Sequence, residues 1–352
     1  MRKITTNVAL EEAYLEEMRK NRGIILFGED VQTGCGASPH MLIQQEMPER
    51  LVPMPICEQL LSNAPIGMAL SGMRPIAEIG AFEDFLALAH DGITNQAAKV
   101  RFWSHGKVQL PVVYVTVGGV GNGCGCNHSQ IGEAWLANVP GIKIVIPTTA
   151  ADHKGLMKTA IRDNDPVLFL INRSQLYLED EVPEDEDYTI PFGKARIARE
   201  GKDVTIVCWQ RTYQYVMELM PQFEKAGIDA EVIDPRTLCP FDKETIIESV
   251  KKTGRLVVTH EAPYKFGPGA EILAAVFEAV GPEMKTAPVR ACTPMTAIPA
   301  LSPEMKTIVT PARIREAVFK VMKMEIPPEF LAEDNKEYVM EWKTKPADAA
   351  EY

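Results

Sequence analysis

Short unbroken apolar runs punctuate the chain, with stretches of helical periodicity between them. Ile24 to Phe27 is such a run, and Pro75 to Ile79, Pro111 to Val117, Ile142 to Pro147 and Val167 to Ile171 are further, mainly apolar strand candidates. Runs of this length are typical of strands buried on both faces of a parallel sheet. Ala9, Leu10, Ala13, Tyr14 and Met18 recur at helical spacing, and a helix over 150–162 is read the same way. Pro65 to Leu70 reads as a short helix closed by Ser71-Gly72, and Phe82 to Phe102 as one long helix. Residues 34–54 carry Gly34, Gly36, Pro39, Pro48 and Pro53 and read as irregular. The acidic stretch from Glu179 to Asp187 cannot build a core and reads as a solvated linker. The alternation then restarts, with strands from Val204 to Trp209, Ala230 to Ile233, Arg255 to His260 and Val289 to Cys292, and helices between them. Alternation of this kind implies right-handed crossovers and a sheet rich in parallel pairs. The expected fold is α/β, with two parallel-rich α/β domains over residues 1–180 and 201–325. A linker over 181–200 joins them, and a charged C-terminal arm follows over 326–352.

Composition narrows the function. The 352 residues hold 37 Lys+Arg and 48 Asp+Glu, a formal charge of −11. An acidic balance argues against nucleic acid and anionic membrane as partners, because both demand a cationic surface. No stretch approaches the roughly 20 apolar residues of a membrane span, and the N-terminal apolar run is too short for a secretion signal. Seven cysteines in a long chain make a poor disulfide framework, so a reducing, cytoplasmic setting is expected.

The common chemical motifs are missing. There is no phosphate loop, no convincing dinucleotide fingerprint and no Gly-x-Ser-x-Gly elbow. Cys124-x-Cys126-x-His128 offers soft donors, but a structural zinc site wants four ligands and no second pair exists. Small residues packing close to a buried site explain that loop better. Two other constellations stand out. Glu58 follows Met54-Pro55-Ile56-Cys57 and precedes an apolar stretch, so burial would raise its pKa. His128-Ser129-Gln130 follows the glycine-dense loop over 118–125, where a histidine can exchange protons near neutral pH. Gly28-Glu29-Asp30 closes a strand, the place where ligand groups gather in parallel sheets.

These residues, in this order, resemble the beta subunit of the thiamine-diphosphate-dependent dehydrogenase component of 2-oxo acid dehydrogenase complexes. That family includes pyruvate, branched-chain and acetoin dehydrogenases and is related to the C-terminal half of transketolase. The matching blocks are Phe27-Gly28-Glu29-Asp30-Val31, Pro55-Ile56-Cys57-Glu58, Gly72 to Glu78, Asn95 to Lys99, His128-Ser129-Gln130 and Lys154 through Pro166. Thr189 to Ala195, Asp234-Pro235-Arg236-Thr237 and Ser249 to Arg255 extend the match into the second domain. The blocks are collinear over about residues 4–323.

The resemblance implies a transketolase pyrimidine-binding domain followed by a transketolase C-terminal domain. It implies thiamine diphosphate shared with an alpha subunit that holds the diphosphate and its magnesium. Glu58 matches the glutamate that bonds the pyrimidine nitrogen and so helps generate the ylid. Glu29 matches an acid near the cofactor, and Phe82 and Phe85 match aromatics around the pyrimidine, with a one-residue slip that leaves the choice between them open. His128 matches the active-site histidine that handles protons or orients substrate and lipoyl group. The carbonyls of Ala160, Ile161 and Asp163 match a potassium loop of some members, with a purely structural turn as the alternative. The implied partners are the alpha subunit, a second beta subunit in a two-alpha, two-beta heterotetramer, and a lipoyl acyltransferase.

Departures from the family pattern also count. Leu60 and Asn63 stand where the family has small residues, the loop over 121–126 is unusual, and the C-terminal arm runs past the usual end. They motivate a second reading, a catalytically degenerate structural or regulatory partner. A self-sufficient transketolase-type half acting on sugar phosphates is a third, but neither phosphate-binding basic residues nor a cofactor-binding half is evident.

Overall fold

The structure is a computed structural model and describes residues 1–32, 40–80, 82–120, 125–295 and 308–331. Gly34, Gly36 and Pro39, the loop residues 121–124 including Cys124, and most of the C-terminal arm lie outside the described residues. The first half runs β1 (Arg2–Thr5), α1 (Thr6–Lys20), β2 (Ile24–Glu29), α2 (Met41–Glu46), β3 (Leu51–Met54), α3 (Glu58–Leu70) and β4 (Arg74–Glu78). It continues through α4 (Leu86–Asp91), α5 (Val100–Trp103), β5 (Val113–Gly118), α6 (Glu133–Leu136), β6 (Lys143–Val145), α7 (Ala150–Arg162) and β7 (Val167–Asn172). The second half holds β8 (Glu179–Val182), β9 (Arg196–Arg199), β10 (Val204–Cys208), α8 (Gln210–Lys225), β11 (Ala230–Asp234), β12 (Thr237–Cys239) and α9 (Lys243–Thr253). β13 (Leu256–Pro263), α10 (Pro268–Val280), β14 (Val289–Thr293), α11 (Pro311–Met322) and α12 (Pro328–Leu331) complete it.

The apolar runs became strands for the expected reason. Every residue of β5 and β7 is buried, and so is every residue of β10 and β11. Two sheets result, ordered β12-β6-β7-β5-β4-β2-β3 and β14-β13-β10-β11-β9. The pairs from β6 to β3 are all parallel, and so are the β14-β13, β13-β10 and β10-β11 pairs. Antiparallel β12 and β9 close one edge of each sheet. β12 follows β11 in the chain yet joins the first sheet, so the two domains share one ladder.

Four elements differ from the sequence reading. Helix α3 begins seven residues before Pro65 and carries that proline inside it. Burial of Leu61, Pro65 and Ala69 along one face compensates for the amide the proline lacks. The long helix expected over 82–102 breaks into 3-10, α and π turns. Its π turn brings Gly92 so close to α3 that a Cβ there would lie 2.5 Å from the Ser62 hydroxyl. Part of the irregular region is β3, an edge strand, which tolerates Pro53. The acidic linker starts as β8, antiparallel to β1, with Val182 fully buried. Charged residues hid both strands, because only Val182 is fully buried, with the partly buried Ile4 packed against its cluster.

Candidate active site

Parallel pairing puts the carboxyl ends of β7, β5, β4, β2 and β3 along one edge of the first sheet. Register aligns Gly118 with Asn172, Gly28 with Glu78, and Glu29 with Met54. The residues singled out in the sequence follow these ends. Glu29 is the last residue of β2, Glu58 opens α3 after β3, Phe82 and Phe85 follow β4, and His128 follows β5.

Glu58 is 8% exposed and occupies the first turn of α3, where the helix dipole favours a carboxylate. The Glu29 carboxyl is pushed up by burial, then by the charges of Asp30 and Glu58. Glu29 Oε2 is buried without a hydrogen-bond partner. An orphaned acid oxygen on the same sheet edge as a second buried carboxylate suits a polar ring with both donors and acceptors, such as an aminopyrimidine.

The aromatic group is a separate cluster on the same edge. The His128 ring stacks on Phe82 with centroids 4.3 Å apart and planes 17° apart, and Phe85 is tilted at 5.6 Å. His128 Nδ1 lies 3.2 Å from Asp84 Oδ2, which orients the ring. The Phe85 ring fills the space beside Gly80, whose φ of 58° suits a residue without a Cβ. Both phenylalanines therefore touch the histidine, and Phe82 makes the parallel stack.

Leu60 is 38% exposed, and the Asn63 amide donates to the Gln59 carbonyl at 2.8 Å. The carbonyls of Ala160, Ile161 and Asp163 lie at the opposite edge of the sheet, before β7 begins. Arg74 Nη1 donates to the carbonyls of Ile161 at 2.9 Å and Asp163 at 2.8 Å, and the Asp163 amide donates to that of Ala160. Lys143 adds an ammonium on the Asp163 carboxylate at 2.7 Å. The chain's own cations thus hold this turn. Among the described residues no group of three His, Cys, Asp or Glu side chains could hold a metal. Cys126 instead donates to Asn127 Oδ1 at 3.3 Å.

Sequence reasoning missed two things. One is Arg173, directly after β7, whose guanidinium carbon lies 4.4 Å from the Phe82 ring centre. The other is a set of enclosed acids between the domains: Glu83, Glu133 and Glu261, all at most 4% exposed. Trp209 Nε1 donates to Glu133 at 3.0 Å, and Glu261 takes the Asn172 amide and faces Arg211 Nε at 3.5 Å. The Gly132 amide donates to Glu83. Burial drives the Glu133 carboxyl to about 8 and that of Glu83 well above the ordinary range. A lone arginine or glutamate after an apolar run carries no sequence signal of this kind.

Comparison with known proteins agrees with this geometry. Residues 2–179 match the family "Transketolase, pyrimidine binding domain" and residues 193–314 match "Transketolase, C-terminal domain". The chain is 39% identical over 335 residues to the acetoin:2,6-dichlorophenolindophenol oxidoreductase subunit beta of Cupriavidus necator, covering 92% of this chain and 98% of that protein. It is 41% identical over 280 residues to the pyruvate dehydrogenase E1 component subunit beta of Rhizobium meliloti, covering 79% of this chain and 61% of the other. A solved structure described as split gene transketolase, inactive beta4 tetramer, is similar with a TM-score of 0.73 and 26% identity, over 91% of this chain and 99% of that one. Among the described residues no helix is long and apolar enough to cross a membrane, and Cys57, Cys126, Cys208, Cys239 and Cys292 are free thiols. Two transketolase domains in series, a strand-end row with paired acids and a stacked histidine, and relatives at about this identity over most of the chain lead to one statement: the chain belongs to the family of beta subunits of thiamine-diphosphate-dependent 2-oxo acid and acetoin dehydrogenases.

Proposed function

We propose that this chain is the beta subunit of an enzyme that decarboxylates a 2-oxo acid, or cleaves acetoin, and passes the acyl group to a lipoyl domain on an acyltransferase. The observation that carries this reading is the buried Glu58, opening a helix at the same sheet edge as the orphaned Glu29 oxygen. Thiamine diphosphate, when bound, supplies a thiazolium carbon that attacks carbonyls and then stores an electron pair. Glu58 would hold the pyrimidine nitrogen and share a proton with it, and Glu29 would offer the next acceptor. Phe82 and Phe85 wall the site and exclude water. His128, held by the Phe82 stack and by Asp84, would move a proton for the reaction.

An alpha subunit would hold the diphosphate and magnesium, since this sequence has no Gly-Asp-Gly…Asn motif. A similar chain that forms an inactive tetramer supports that need. The enzyme is favoured over a degenerate partner because Glu29, Glu58 and His128 all stand at or after carboxyl strand ends on one edge of the sheet. The test is an assembled alpha–beta complex assayed for thiamine-dependent reduction of an artificial electron acceptor. Glu58→Gln is expected to lower the rate by about a hundredfold or more, the usual scale for an acid–base group. Retention of full activity in that variant would refute the assignment.

A further inference from the structure

Among the described residues that follow the five carboxyl strand ends, Arg173 is the one permanent cation, in company with Glu29, Asp30, Glu58 and Asp84. Its position is built rather than incidental. Asn172, 1% exposed, gives its amide to Glu261 and takes the Ser174 amide at 3.1 Å and hydroxyl at 2.6 Å on its own oxygen. Two residues on, the buried Gln175 donates to the Thr148 carbonyl at 2.7 Å. Arg173 therefore leaves a turn pinned on both sides, and its half-buried guanidinium lies against Phe82, the ring on which His128 stacks. A guanidinium on an aromatic face gains about 0.5–1 kcal/mol and a fixed plane. A planar fork of five N–H donors matches carboxylates and phosphates better than any other side chain does.

We propose that Arg173 is a specificity-determining residue that takes an anionic group at the far end of the substrate's acyl chain. The inference rests on the reading of this site as one that processes a 2-oxo acid. The carboxylate that departs as carbon dioxide is not the target. Its charge disperses as the bond breaks, so pairing it with a fixed cation would stabilise the ground state more than the transition state. A carboxylate or phosphate that stays on the acyl chain keeps its charge throughout, and Arg173 binds it without opposing the chemistry. The substrate class is then a 2-oxo acid with a second anionic group.

The experiment compares pyruvate, 2-oxoglutarate and 3-phosphohydroxypyruvate as substrates of the assembled alpha–beta complex. Wild type is expected to favour a charged tail over pyruvate by at least about tenfold in kcat/KM, and the preferred tail separates carboxylate from phosphate. Arg173→Met should lower kcat/KM for that substrate by about a hundredfold, mainly through KM, the scale of a desolvated charge pair. Pyruvate turnover should fall by a clearly smaller factor, since Arg173 also braces Phe82, and Arg173→Lys should recover part of the loss on the charged substrate. Equal losses on all three substrates, or no preference for a charged tail in wild type, overturn the proposal. If Glu58→Gln keeps its activity, the cofactor reading itself has failed. If Glu58 is essential but Arg173→Met does not discriminate, only the present inference has.

Discussion

Two groups of carboxylates in this chain share their chemistry and differ in their surroundings. Glu83, Glu133 and Glu261 are enclosed between the domains, and Glu133 and Glu261 each take a hydrogen bond from the domain opposite. Glu29, Glu58 and Asp84 stand on an open sheet edge, with a histidine and an arginine close by. Burial raises carboxyl pKa values in both groups. A raised value therefore marks burial in either place. What separates a site from an interdomain latch is an edge that another molecule can reach.

The comparison breaks most readily at the latch. Arg211→Met removes the cation facing Glu261 and its bond to the Val120 carbonyl. It should cost about 3–5 kcal/mol in urea unfolding, the scale for stranding a buried charge. A loss below about 1 kcal/mol would mean that the enclosed acids do not bind the domains together.

The next effect is a pH slope. The folded Glu133 carboxyl at about 8 lies far above its unfolded value, so the folded chain binds the extra proton. Its contribution is complete below about pH 4.5 and is lost as pH rises through about 8. Glu133→Gln should flatten that decline, on the order of a few kcal/mol across the window. Unfolding curves at pH 5 and pH 8 check this, and an unchanged slope would point to Glu83 or Glu261 instead.

On the open edge, stability should be less sensitive than activity. Phe82→Leu removes the stack under His128 and should cost about 1 kcal/mol of stability, while turnover of the alpha–beta complex falls by a larger factor than that energy corresponds to. The smallest effect belongs to Leu60→Ala, an exposed position where about 0.5 kcal/mol or less is expected, with cofactor binding unchanged by calorimetric titration. A clear loss of cofactor affinity there would place Leu60 against the coenzyme or the partner subunit.

The sequence disclosed those parts of the molecule that obey a periodic rule. The strands buried on both faces were legible because nearly every position is apolar, with Thr116 in β5 and Asn172 in β7 as exceptions. β1 and β8 were not, because a two-stranded ribbon at the surface needs only Val182 in the core. Pro65 read as a helix start, since a proline favours first turns, and tertiary packing overrode that preference. At the site, Glu29, Glu58 and His128 were legible through resemblance to a family. Phe82 and Phe85 were both named from the resemblance, and both rings touch the histidine. The potassium turn read from the same resemblance proved to be held by Arg74, a contact across 87 residues of sequence that no local pattern announces. Arg173 and the enclosed acids depend on which strand ends lie side by side, and that order is set by topology.

The strand β12 has a consequence for how the chain comes apart. It extends the first sheet from within the second half of the polypeptide, pairing Thr237 with Val145 and Cys239 with Ile144. A protease nick between residues 183 and 195 would sever the covalent tether but leave this stitch intact. The two fragments should co-elute on gel filtration until denaturant separates them, and neither half is a cassette to be transplanted without the other.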